Sequence, residues 1–142
     1  MMVVQLQNMF KHKIFITSFI VLIIVAVFNY LGGKYYLYWI YQWYDIPMHI
    51  LGGLWVSLFS ISIFTHFDKN ILVINYKKKI FKIVFFSLLL LTISWEIFEL
   101  VSKITLLSDG TSYWVDTIKD IIDGFIGGMI GYCLYYTKIL NR

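Results

Sequence analysis

Asp45 and His49 stand four residues apart, Glu96 and Glu99 three apart, and Asp116, Asp120 and Asp123 fall within a window of eight. Spacings of three and four put side chains on one face of a helix, so each group would present its polar atoms together. Carboxylates with a single imidazole suit hard or borderline cations: Mg²⁺, Mn²⁺, Ca²⁺, Zn²⁺ or non-haem iron. A cation held there would polarise a phosphoryl or carbonyl oxygen, or activate water. The alternative is that several carboxyls stay protonated, because like charges raise one another's pKa. Asp45, His49, Glu96, Glu99, Asp116 and Asp120 are therefore the candidate metal ligands, with His49, Glu96 and Asp120 as the candidate acid/base groups. E-x-x-E and D-x-x-x-D pairs projecting into a bundle resemble the way carboxylate-bridged metal pairs are built, although the usual E-x-x-H spacing is absent. No Gly-rich phosphate loop and no H-E-x-x-H accompany them.

These residues sit in a chain of 142 residues that is 60% hydrophobic and 20% aromatic, with 14% charged and one proline. A soluble domain of this length needs more charge to coat its surface, so the composition predicts an integral membrane protein. Four apolar stretches approach spanning length: Ile14–Leu31, Ile46–Phe67, Ile83–Ser102 and Thr117–Thr137. Each is close to the ~20 residues a helix needs to cross ~30 Å of hydrocarbon. The expectation is an all-α fold, a four-helix transmembrane bundle forming one domain over residues 1–142.

The net charge of +4 raises the possibility of nucleic-acid binding, but its distribution argues for topology instead. Lys11, Lys13, Lys69, Lys77, Lys78, Lys79, Lys82, Lys138 and Arg142 lie on one side of the expected spans, and Lys34, Lys103 and Lys119 on the other. This positive-inside bias predicts that both termini are cytoplasmic, in a plasma or inner membrane. It also makes the Lys77–Lys79 run a candidate contact for anionic lipid. The first apolar run is long for a signal-peptide core and lacks a small-x-small cleavage site, so it reads as a retained helix. Cys133 is the only cysteine, which excludes an intrachain disulfide and a thiolate metal cage.

Between the first two spans, residues 35–44 contain seven Tyr or Trp, the residues favoured at a membrane–water boundary. An interfacial segment is expected, either a plain aromatic belt or a substrate platform. Residues 68–82 mix apolar residues with lysines and could form a short amphipathic surface segment. Ser108-Asp109-Gly110 is a turn signal. Gly124 with Gly128, and Gly127 with Gly131, make two overlapping G-x-x-x-G patterns, which suit close packing inside the bundle or a homodimer through the fourth helix.

With this topology Asp45, Glu96, Glu99, Asp116, Asp120 and Asp123 all fall in the outer half of the bilayer or at its edge, and Asn29 approaches the same level. Milder readings exist for some of them. Asp45, before Ile46-Pro47, makes a good N-cap. Asp116 could be a cap; Glu99 with Lys103, and Lys119 with Asp116 or Asp123, have helix-pair spacing. Such readings do not account for Glu96, Asp120 and Asp123, because ionisable residues in spans usually face the bundle interior and carry function.

Three blocks taken together resemble a known family. Asp45-x-x-x-His49-x-x-x-Gly53, Glu96-x-x-Glu99, and Asp116-Thr117-x-x-Asp120 followed by Gly127 are similar to the YjdF-like family of small bacterial inner-membrane proteins. More distantly they resemble VanZ-like proteins, where Gln and Asn stand in place of Glu99 and Asp120. The likeness covers residues 44–131, and Asp123 lies outside both patterns. It implies a membrane protein with this polar constellation and, through the VanZ likeness, a place in cell-envelope biology; it implies no reaction.

Three functions compete. The first is a metal-assisted site near the outer leaflet, acting on a lipid-linked or envelope-derived molecule. The second is an ion- or proton-coupled carrier, which the inner halves of the spans serve poorly, offering hydroxyls such as Ser57, Ser60, Ser62 and Ser87 with His66 at the edge. The third is a structural or partner subunit whose polar cluster fixes helix packing.

Overall fold

In the computed structural model the backbone is described for residues 2–67, 76–102 and 111–140, and side chains for 13–67, 76–102 and 112–137. The elements in order are α1 (Met2–Lys34), α2 (Leu37–Ile40), the 3-10 turn η1 (Gln42–Tyr44), α3 (Asp45–Phe67), α4 (Tyr76–Val101) and α5 (Thr111–Leu140). Every regular element among the described residues is helical, so the fold is all-α. The basic loop residues 68–75, with Asp68 and Lys69, and the turn signal at 108–110, with Lys103 and Asp109, lie outside the described residues.

Lys13–Lys34, Gln42–Phe67 and Tyr76–Val101 are long and apolar enough to cross a membrane. The fourth long helix, α5, is not among these three. Its 30 residues exceed the length needed, but four charged residues crowd its first half, and glycines and tyrosines dilute the rest. α4 begins at Tyr76, seven residues before the expected start. The lysine run is thus part of the helix, since Lys is a good helix former and can lift its ammonium away from an apolar surface. α5 likewise starts at Thr111, which puts Asp116 in the second turn rather than at a cap.

α3 is the centre of the assembly. It packs most extensively on α5, then on α1 and α4, and α4 also lies against α5. The α3–α5 contact is between bare backbones: a Cβ at Gly53 would run into the Gly124 carbonyl, and one at Gly127 into the Ile50 carbonyl. Gly131 lies against Ser57 of α3, while Gly128 faces Leu88 of α4. The G-x-x-x-G glycines therefore serve packing within this chain. The outermost pairs (49 with 124, 57 with 131) show that α3 and α5 run parallel, and α4 runs antiparallel to them, with Thr92 near 124 and Leu88 near 128.

Below these contacts Ile14, Val56, Ile61, Ile80, Val84, Leu88 and Tyr135 form the buried core. The outer faces are apolar as well: Phe19, Ile23, Phe86, Leu90 and Ile97 are all at least half exposed. Exposed apolar faces on helices of this length match a hydrocarbon surround and not water.

Candidate functional site

The 3-10 turn runs directly into α3, and Asp45 has helical backbone angles (φ −68°, ψ −40°). It is the first residue of the helix, where a carboxylate is favoured by the helix dipole, and Pro47 is tolerated because the first turn needs no N–H partner. One turn on, His49 turns back so that its Nε2 lies 3.3 Å from Asp45 Oδ1. The same nitrogen is 3.8 Å from Asp120 Oδ1 on α5. Aspartate is short, so this approach depends on the glycine contacts one turn below, where Gly53 and Gly124 allow the two backbones to touch. Asp120 is 3% exposed. One ligand atom from each of Asp45, His49 and Asp120 lies within 4.8 Å of the others, a geometry that could hold a metal ion.

The remaining expected residues surround this trio without joining it. Glu96 of α4 is buried, at 8% exposure, and lies within hydrogen-bonding reach of Thr117. Glu99 is half-buried, and its Oε1 accepts a 2.8 Å hydrogen bond from the Trp95 indole. Asp116 is mostly in the open, its side chain 51% exposed, and pairs with Lys119 at 3.5 Å. Asp123 has one buried oxygen, Oδ2, with no hydrogen-bond partner among the described residues.

Two further residues belong to the site, one whose partners spacing gave only in part and one that no spacing marks. Lys119 Nζ is 3.4 Å from Asp120 Oδ1, so it pairs with Asp116 and Asp120, not with Asp116 and Asp123. Sequence neighbours point to different sides of a helix, which hides such a contact; the long lysine stem reaches round. The second is Tyr38 of α2, whose hydroxyl donates to Asn29 Oδ1 at 2.9 Å. Burial first, and then the nearby charges of Asp45, Tyr44 and Glu99, together raise its phenol to about 12. Asn29 thus meets the site through Tyr38. Tyr44 is buried beside it and donates to the Phe28 carbonyl at 2.8 Å, tying the aromatic segment to α1. Most of the rest of that segment, including Trp39 and Trp43, is exposed, as a boundary belt requires.

The arrangement presents one imidazole between two carboxylates, a buried glutamate nearby and one ammonium in contact. That set can bind a cation or share a proton. No curated protein and no solved structure matches the chain. The family described as "Predicted membrane protein (DUF2238)" matches residues 1–141, and its description names a membrane protein and no reaction. With the match covering nearly its whole length, the chain belongs to this family of membrane proteins.

Proposed function

We propose that Asp45, His49 and Asp120 form a divalent-cation site at one end of a membrane-embedded bundle, with Glu96 as the adjacent acid/base group. The supporting observation is the convergence of the three donor atoms from two helices within 4.8 Å. Donors around a tetrahedral Zn²⁺ stand about 3.3–3.6 Å apart for bonds of about 2.0–2.2 Å. The observed 3.3 and 3.8 Å are close to that spacing. Glu99 and Asp116 serve as outer partners or as ligands to a second ion. In this reading α5 also crosses the bilayer, the lysine excess keeps both termini cytoplasmic, and the site opens to the outer leaflet of a plasma or inner membrane. A lipid-linked or envelope-derived molecule then meets the cation through a phosphoryl or carbonyl oxygen.

The test is elemental analysis of protein purified in mild detergent without chelator, wild type beside His49→Ala and Asp120→Asn. Near-stoichiometric metal in the wild type, lost in both folded variants, is the expected result. Wild-type protein that stays empty after reloading with Mg²⁺, Mn²⁺, Zn²⁺ and Fe²⁺ removes the cation reading.

A second reading draws on the Lys119 contact. An ammonium 3.4 Å from Asp120 Oδ1 already supplies a positive charge, so the cluster could serve only to fix the α3–α5 register. Neutral substitution would then lower stability while metal content stays at zero throughout. A proton- or ion-coupled carrier is less favoured. Among the described residues, all carboxylates gather at one end, and the buried polar groups of α3 towards the other are hydroxyls: Ser57, Ser62 and Thr65.

A further inference from the structure

At the end of the molecule opposite the carboxylates, α4 and α5 meet along a ladder of rings. Phe85 packs on Phe125 with centroids 5.5 Å apart, Phe81 meets Tyr132 edge-on at 5.6 Å, and Tyr132 stacks on Tyr136 at 6.3 Å. Lys77 closes the ladder: its Nζ lies 2.6 Å from the Tyr136 hydroxyl and 4.4 Å from the centre of that ring. An ammonium has three donors, so this contact holds the charge in place and leaves donors to spare. Lys78 and Lys82, both exposed, are one turn apart and continue the basic surface.

Nothing acidic among the described residues balances this surface. Asp45, Glu96, Glu99, Asp116, Asp120 and Asp123 belong to the far end; Glu96, the first acid on α4, is nineteen residues beyond Lys77, about 28 Å along the helix. Beside the ladder, the outward face of α5 carries an apolar groove of about 650 Å³, lined by residues that include Phe125, Met129, Cys133 and Leu134 and ending at Thr137, next to Tyr136. The groove runs over residues 121–137, about 24 Å of helix, which approaches the hydrocarbon depth of a bilayer.

We propose that this seam binds one anionic phospholipid, its phosphodiester at Lys77 and the Tyr136 hydroxyl and an acyl chain in the α5 groove. Charge selects the occupant: Lys77, Lys78 and Lys82, with no carboxylate beside them among the described residues, attract an anionic headgroup at the foot of an apolar helix, while the groove offers an acyl chain an apolar lining. Its headgroup end, at Lys77 and Tyr136, lies away from the carboxylate cluster and does not depend on what binds there.

The experiment is native mass spectrometry of the full chain, purified from bilayers of phosphatidylcholine mixed with phosphatidylglycerol. Wild type is expected to retain one phosphatidylglycerol in preference to phosphatidylcholine. Lys77→Gln should lower that retention about fivefold, the effect of one lysine near an anionic surface. Lys77→Arg should restore it, and Lys34→Gln, at the opposite end, should leave it unchanged. Soluble glycerol phosphate in excess should fail to displace the lipid. Equal retention of the two lipids, equal effects of Lys77→Gln and Lys34→Gln, or displacement by glycerol phosphate would each overturn the proposal.

Discussion

Asp120 Oδ1 faces both His49 and Lys119. A cation bound by Asp45, His49 and Asp120 would have to compete with that ammonium. Lys119→Met should therefore tighten metal binding by about tenfold, since one charge at this range in a partly buried setting is worth at least ~1.4 kcal/mol. A competition titration against a fluorescent chelator measures it; weaker or absent binding with a lowered unfolding midpoint would favour the register reading instead. Tyr38 gives a pH-dependent test. Its phenol stays protonated in the fold up to about 12, against 10.0 for an unperturbed tyrosine. Its favourable share of stability is therefore complete below pH 10 and lost as pH rises from 10.0 to about 12. Tyr38→Phe should cost about 0.5–1.5 kcal/mol near neutrality through the lost Asn29 bond, yet lose less on alkaline titration. Unfolding followed by tryptophan fluorescence across that range would show equal alkaline slopes if Tyr38 were solvated. The sequence pointed to Asp45, His49 and Asp120 because helical spacing links the first two and membrane burial singles out the third. It could not point to Tyr38, which lies on a four-residue helix with no period to read.

Among the elements, the α3–α5 contact decides whether the site exists. Gly53→Ala and Gly127→Ala place a methyl against a backbone carbonyl that cannot rotate away. Each should destabilise by roughly 1–3 kcal/mol, the usual range for overpacking. Gly52→Ala is the control: nothing lies within 4 Å of its Cβ, and alanine favours the helix by about 0.5–1 kcal/mol. Unfolding midpoints in one detergent should fall for the first two and hold or rise for the third; a uniform response would mean that glycine softness, and not contact, sets the effect. The link between α1 and α2 holds a different strain. Tyr36 is the one described non-glycine residue with positive φ, at 57°. Tyr36→Gly should gain stability by relieving roughly 1–2 kcal/mol, read as a raised unfolding midpoint in the same detergent. Glycine spacing in α5 was legible, but it left packing inside the bundle and a homodimer equally open; the contacts with Gly53 and Ile50 give it a use within the chain. The early start of α4 was not, because three consecutive lysines resemble a loop until the ammonium groups are allowed to reach past the apolar surface.

On the scale of the whole molecule, apolar length pointed to long helices in four places but not to where α4 and α5 begin, nor to their neighbours. Short links make consecutive helices alternate in direction, but nothing in hydropathy says that α3 prefers α5 over α4. That preference comes from Gly53 meeting Gly124 and Gly127 meeting Ile50. The parallel pairing also sets an order of assembly. During synthesis α3 enters the bilayer with Asp45 and His49 facing each other alone, and α4 must complete its return before α5 exists. α5, made after both, is therefore the helix that closes the polar end. A chain stopped after residue 102 would hold Asp45, His49 and Glu96 in the membrane without their α5 partners. Pulse-chase labelling should find it shorter-lived than the full chain, and a truncation carrying His49→Leu and Asp45→Ala should recover part of that lifetime.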